Sequence, residues 1–232
     1  MAEKIKETRQ RPVCPRCGAP TRRGARYCGH CGVSLRLWDV TWSLRRSVGG
    51  AIAGGAGWVF GLGLTRLFSD PASLTFPHPL FACLVGLFIG AAGGLMERSF
   101  GLMWKGMVAG GLGGVVAGIF GNVLAHALSS VDNGYLAAHA VLWCLVGLMV
   151  STVSTRERMW ALLGGLLFGA LGGALNWSFS VAMTLEMPQP VWYMARGVEF
   201  TNGAILGALI WGGMAFFERW GLQFERRRRF WI

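Results

Sequence analysis

Past residue 47 the apolar positions do not alternate with polar ones at a helical or strand period. They run together in long blocks separated by short polar breaks. A bilayer core about 30 Å thick needs roughly 20 apolar residues per helix. Six blocks approach or meet that length: Val48 to Phe68, Leu80 to Met96, Trp104 to Leu128, Tyr135 to Val153, Met159 to Met183 and Phe200 to Phe217. The breaks carry helix-ending chemistry. "SDPASLTFPHP" holds three prolines, "SSVDNG" is a turn cluster and "EMPQP" adds two prolines. The pattern predicts an all-α membrane protein with six transmembrane helices.

Glycine sharpens that picture. The 36 glycines are embedded among Leu, Val, Ile and Trp, which suits membrane helices better than soluble ones. Many recur every fourth residue, on one helix face. The rows are Gly106, Gly110, Gly114 and Gly118, then Gly86, Gly90 and Gly94, then Gly165, Gly169 and Gly173. Gly49, Ala53, Gly57 and Gly61 make a fourth. Small residues at this spacing let helix backbones approach closely, so the rows are expected to be packing seams. "GGLGG" is not a phosphate loop, because no strand precedes it and no Gly-Lys-Ser/Thr closes it.

The blocks also resemble one another. "CLVGL" occurs at Cys83 to Leu87 and at Cys144 to Leu148. "KGMVAGGLGG" (Lys105 to Gly114) matches "GGLLFGALGG" (Gly164 to Gly173) at an offset of 59, and "GAIAGGAG" (Gly50 to Gly57) lies 56 residues before its counterpart. The pair Glu-Arg follows each even-numbered block, at Glu97-Arg98, Glu157-Arg158 and Glu218-Arg219. Three pseudo-repeated helical hairpins of about 60 residues are expected, as parallel repeats around an axis along the membrane normal.

Charge fixes an orientation. Only 14% of residues are charged, yet the net charge is +11. Residues 1–47, 97–105, 154–158 and 218–232 hold 20 of the 22 Lys and Arg, leaving Arg66 and Arg196 for the other side. The positive-inside bias then predicts cytoplasmic N- and C-termini. The first apolar run lies too far into the chain for a secretory leader, so the head is expected not to be exported. Arg45, Arg46 and Arg226, Arg227, Arg228 and Arg229 are juxtamembrane, where each cation contributes about 1 kcal/mol toward anionic headgroups. Anionic lipid is therefore the expected partner, and nucleic acid the less simple one. Trp104, Trp160, Trp192, Trp220 and Trp231 fall near span ends, where indole rings sit at headgroup level.

Few polar groups occur at membrane depth. Asn122, Asn176 and Asn202 are expected to bridge helices, and a transport role is the alternative. His126, His139 and Glu199 fall near the predicted outer ends. Cys83 and Cys144 read as small packing residues.

The head has different chemistry. Cys14-x2-Cys17, ten residues, then Cys28-x2-Cys31 supplies four thiolates in two knuckles. Four protein ligands fill a tetrahedral zinc site and leave no open position for substrate, so the site is expected to be structural. Iron is the chemical runner-up. Gly18 and Gly32 follow the knuckles and would permit the tight turns. A cytosolic disulfide pair is disfavoured, and His30 is expected to face solvent. "CPRCGAP…RYCGHCG" resembles the short zinc ribbons that begin many bacterial membrane proteins of uncharacterised function. The resemblance covers about 20 residues, implies one structural Zn2+ on Cys14, Cys17, Cys28 and Cys31, and implies no activity.

The chain is thus divided into a basic tail (1–12), a zinc ribbon (13–34), a basic linker (35–47), a six-helix transmembrane domain (48–217) and a polybasic tail (218–232). A non-enzymatic inner-membrane protein is expected, whose cytoplasmic ribbon docks a protein partner or braces the bundle. A small channel or transporter of three pseudo-symmetric hairpins is the alternative. Intramembrane hydrolysis would need a nucleophile-base pair or HExxH inside the spans, and neither is present in the sequence.

Overall fold

The computed structural model of the chain describes residues 13–14, 17–22, 25, 27–32, 35, 40–68, 79–153, 158–186 and 192–229; helix side chains are described over 43–67, 79–153, 159–183 and 197–221. Six α-helices follow in order: α1 (Val40–Phe68), α2 (Pro79–Met96), α3 (Phe100–Ala127), α4 (Gly134–Ser151), α5 (Arg158–Glu186) and α6 (Trp192–Arg229). No strand forms among the described residues. All six helices are long and apolar enough to cross a membrane.

The helices overrun the apolar blocks at their ends. α1 begins at Val40 rather than Val48, α3 at Phe100 rather than Trp104, and α6 runs from Trp192 to Arg229 rather than Phe200 to Phe217. Hydropathy marks only the stretch that sits in lipid. Backbone hydrogen bonding continues through Glu, Arg, Leu and Trp, which tolerate a helix well. At 1.5 Å per residue the 38 residues of α6 reach about 57 Å, well beyond the bilayer core.

Two turns are explained by local chemistry. Between α2 and α3 only three residues intervene. Ser99 caps α3 by accepting from the Leu102 N–H, its own N–H donates to the Gly94 carbonyl (2.9 Å), and Arg98 turns the corner at φ 52°. Between α3 and α4, Asn133 takes the left-handed conformation at φ 60°, a region Asn tolerates better than most residues.

Each helix packs on its chain neighbours and α6 packs back on α1, closing a ring; the most extensive contacts are α2 with α3, α1 with α6 and α4 with α5. The even helices supply most of the interior: Val85 and Ile89 from α2, Leu142, Trp143, Val146 and Val150 from α4, and Leu206, Ile210, Trp211 and Met214 from α6. The odd helices turn large apolar residues outward at fourfold spacing, such as Leu163, Leu167, Leu171 and Leu175 of α5. In water such rows would be costly. Against lipid tails they are not, because tails are as apolar as leucine.

Between the inner and outer rows lie the glycines. In the α2·α3 seam, a Cβ on Gly110 would strike the Gly86 carbonyl oxygen, one on Gly106 the Gly90 carbonyl, one on Gly114 the Ala82 carbonyl, and one on Gly118 the Pro79 backbone. Gly94 lies against the Met103 backbone. In the α4·α5 seam, Gly165, Gly169 and Gly173 face the carbonyls of Gly147, Trp143 and His139. In the α6·α1 seam, Gly50 and Gly54 face the carbonyls of Gly207 and Gly203. Each glycine costs a helix about 1 kcal/mol relative to alanine. Backbone-to-backbone approach returns dispersion and weak Cα–H···O contacts.

The row Gly49, Ala53, Gly57 and Gly61 does something else. Gly49, Gly57 and Gly61 lie against side chains of α2, namely Met96, Phe88 and Phe81. The seams also differ in register. By sequence match Gly86 corresponds to Gly147, and Gly110 to Gly169. Gly86 faces Gly110, whereas Gly147 faces the carbonyl of Gly165, one helical turn away from its matched partner.

Candidate metal centre

The two knuckles fold alike. The Gly18 N–H donates to the Cys14 carbonyl (2.9 Å) and the Gly32 N–H to the Cys28 carbonyl (2.8 Å). Both glycines are in the left-handed region, at φ +71° and +65°, where an L side chain would be strained. A further bond from the Cys14 N–H to the Ala19 carbonyl (2.8 Å) folds the first knuckle back, with Val13 and Pro20 paired across it.

These turns bring the four sulfurs together. Cys14 Sγ lies 3.6 Å from Cys31 Sγ and Cys17 Sγ 3.6 Å from Cys28 Sγ, and all four are within 4.8 Å of one another. A zinc–sulfur bond of about 2.3 Å implies a tetrahedral sulfur–sulfur edge of about 3.8 Å. A disulfide would need about 2.05 Å, and all four cysteines are free. Cys14 and Cys28 are buried, Cys17 and Cys31 half-buried, and Leu35 packs on the cluster. His30 is exposed. The donor set and spacing therefore accommodate one metal ion held entirely by thiolates.

The electrostatics favour a thiolate at one corner. The Cys31 backbone N–H, followed by that of His30, lowers the Cys28 thiol from 9.0 to about 6, against the opposing effect of burial. At Cys17 the Ala19 N–H pulls the same way, but burial and the adjacent thiols of Cys31 and Cys28 outweigh it, and that thiol is raised.

The other expected contacts sort differently. Arg45 is exposed. Arg46 does not reach outward to headgroups: its residue is 3% exposed, and it forms a buried ion pair with Glu218 (3.1 Å) and a second, longer one with Glu97 (3.6 Å). Its guanidinium also lies 5.2 Å from the centre of the Trp211 ring. The reason is helical phase. Arg46 sits one turn before Gly50, so it shares the face that packs on α6. Trp211 is anchored in turn by donating to the Ile89 carbonyl (2.8 Å), and Gly93 leaves room for its ring. Arg46, Glu97 and Trp211 line a small cavity of about 20 Å³ together with Gly90, Gly94 and Gly106. The cluster was not foreseen, although the Glu-Arg pair ending each even block was its visible trace. The side chains of Arg226 to Arg229 lie outside the described residues.

At the opposite end Arg66 pairs with Glu199 (2.7 Å). Asn122 donates to the Gly118 carbonyl of its own helix (3.1 Å), Asn202 donates to Ser180 of α5 (3.0 Å), and Asn176 is buried. His139 is buried against Trp177. Trp104 and Trp220 are exposed at span ends.

Comparison with protein families, with curated proteins and with solved structures finds no match for this chain.

Proposed function

We propose that this is a non-enzymatic integral protein of a bacterial inner membrane, with both termini in the cytoplasm and an N-terminal ribbon holding one structural Zn2+. The ribbon docks a cytoplasmic protein partner and the bundle is its membrane mount. The observation that carries this reading is the filled interior. Leu142, Trp143, Val146, Leu206, Ile210 and Met214 have no accessible surface, from the middle of the bundle to its Arg46 end. A solute path would need a continuous polar or wet lining, and the cavity beside Arg46, Glu97 and Trp211 has room for little more than a water molecule. This favours a mount over the channel alternative.

Exposed Val13 and Tyr27 are apolar side chains on the ribbon that a docked partner would cover. Exposed Arg45, with the basic end of α6, supports contact with anionic lipid on the same side. Pull-down of the full chain from membranes, beside Cys14→Ser/Cys17→Ser, tests the proposal. Loss of a specific partner with the bundle still folded is the expected result. Selective solute flux through reconstituted liposomes would instead establish the channel. Elemental analysis of the purified chain distinguishes zinc from iron.

A further inference from the structure

Trp143 Nε1, Asn176 Nδ2 and Asn202 Oδ1, between the middle of the bundle and the end away from Arg46, have no hydrogen-bond partner among the described residues. Their residues are 0%, 2% and 6% exposed. They belong to three helices, α4, α5 and α6, yet packing brings them to one level. A Cβ on Gly173 would lie 2.9 Å from Trp143 Cδ1, the ring atom bonded to Nε1, and Asn176 is three residues along the same helix. Gly172 faces Leu206, so one turn onward along the antiparallel pair Asn176 comes opposite Asn202. Asn202 Nδ2 donates to Ser180 Oγ at 3.0 Å, and Ser180 is one turn from Asn176 on the same face. Gly203, beside Asn202, lies against Trp58, whose ring centre is 5.6 Å from that of Trp143.

Buried polar groups inside a membrane are satisfied internally, since no bulk water reaches them. Here two donors, an indole N–H and an amide N–H, lie at one level with one acceptor, an amide oxygen. A small molecule that accepts twice and donates once completes the set. Water does this, and internal waters typically make about three hydrogen bonds to otherwise unsatisfied groups. We propose that the α4–α5–α6 junction is a binding site for a single internal water, held by Trp143, Asn176 and Asn202. The site is independent of the ribbon and of its partner.

The test is water-to-protein magnetisation transfer by solid-state NMR on the full chain in lipid bilayers. The expected result is a slowly exchanging water signal at one buried indole N–H. Trp143→Phe removes that signal and so assigns it. Asn176→Leu weakens the transfer at Trp143 at least severalfold while the Trp211 indole, bonded to Ile89, is unchanged. The wild-type experiment alone decides the matter if Asn176→Leu does not fold. A Trp143 indole with no water transfer overturns the proposal.

Discussion

Arg45 and Arg46 are adjacent in sequence and equal in charge, and the structure gives them different work. Arg46→Ala removes the buried ion-pair partner at 3.1 Å from Glu218, one of that residue's contacts, and removes the cation above Trp211; the Glu218 side chain is 0% exposed. Losing one member of a buried pair costs about 3–5 kcal/mol, because the remaining charge is left in a poor solvent. For a chain of this size that corresponds to a fall in Tm on the order of 10 °C. Arg45→Ala, at an exposed position, should change stability by less than about 0.5 kcal/mol. The double replacement Arg46→Met with Glu218→Leu removes both charges and should recover most of the loss, since apolar pairs of similar volume often equal a buried ion pair. Thermal unfolding in detergent micelles, followed by tryptophan fluorescence, reads all three. If Arg46→Ala melts with the wild type, or if Arg45→Ala and Arg46→Ala fall equally, the buried-pair reasoning is wrong and both arginines act at the lipid surface.

Gly110→Ala places a methyl group against the Gly86 carbonyl and should destabilise the bundle by about 1–3 kcal/mol, whereas Gly111→Ala meets Cys83 Sγ at 3.7 Å and Leu87 Cβ at 3.9 Å, ordinary contact distances, and should be neutral or slightly stabilising by the same melting assay. In the metal-free chain, thiolate absorbance should begin to rise near 6 as Cys28 ionises, well before Cys17, which is raised above the ordinary 9.0; no absorbance change near 6 would contradict the geometry. Because a lowered pKa means that Cys28 is anionic above about 6 and protonated below it, metal retention should fall as pH drops through that value, measurable by competition with a chromophoric chelator. Gly18→Val should weaken metal binding without altering the helices, by straining a turn held at φ +71°.

The parts of the molecule legible in one dimension are those governed by composition over many residues. Twenty apolar residues in a row admit few structures, so the six helices could be read directly. The four cysteines could be read because two short turns, each closed by a glycine, leave their sulfurs little choice but to meet. What could not be read depends on phase and register. Arg46 lies just before an apolar run, and position alone assigns it to the headgroups; only the direction of its helix face assigns it to Glu218. The choice of Gly50 and Gly54 over Gly49 and Gly57 for the backbone seam is a rotation of 100° on one helix. Trp211 sits at mid-chain of α6 and carries no sign in the sequence that it will bond Ile89 of α2.

The contact between the start of α1 and the end of α6 has a consequence for chain order. Two of the three close glycine seams are joined by short links, 97–99 and 152–157, but the third has no link and is bracketed by Arg46–Glu218 and Arg66–Glu199. Topologically the molecule is a hoop, and the place where synthesis begins is arbitrary with respect to it. A gene rearranged to stitch the last helix to the first, and to open at the bend after Glu97, should still yield the same barrel of helices.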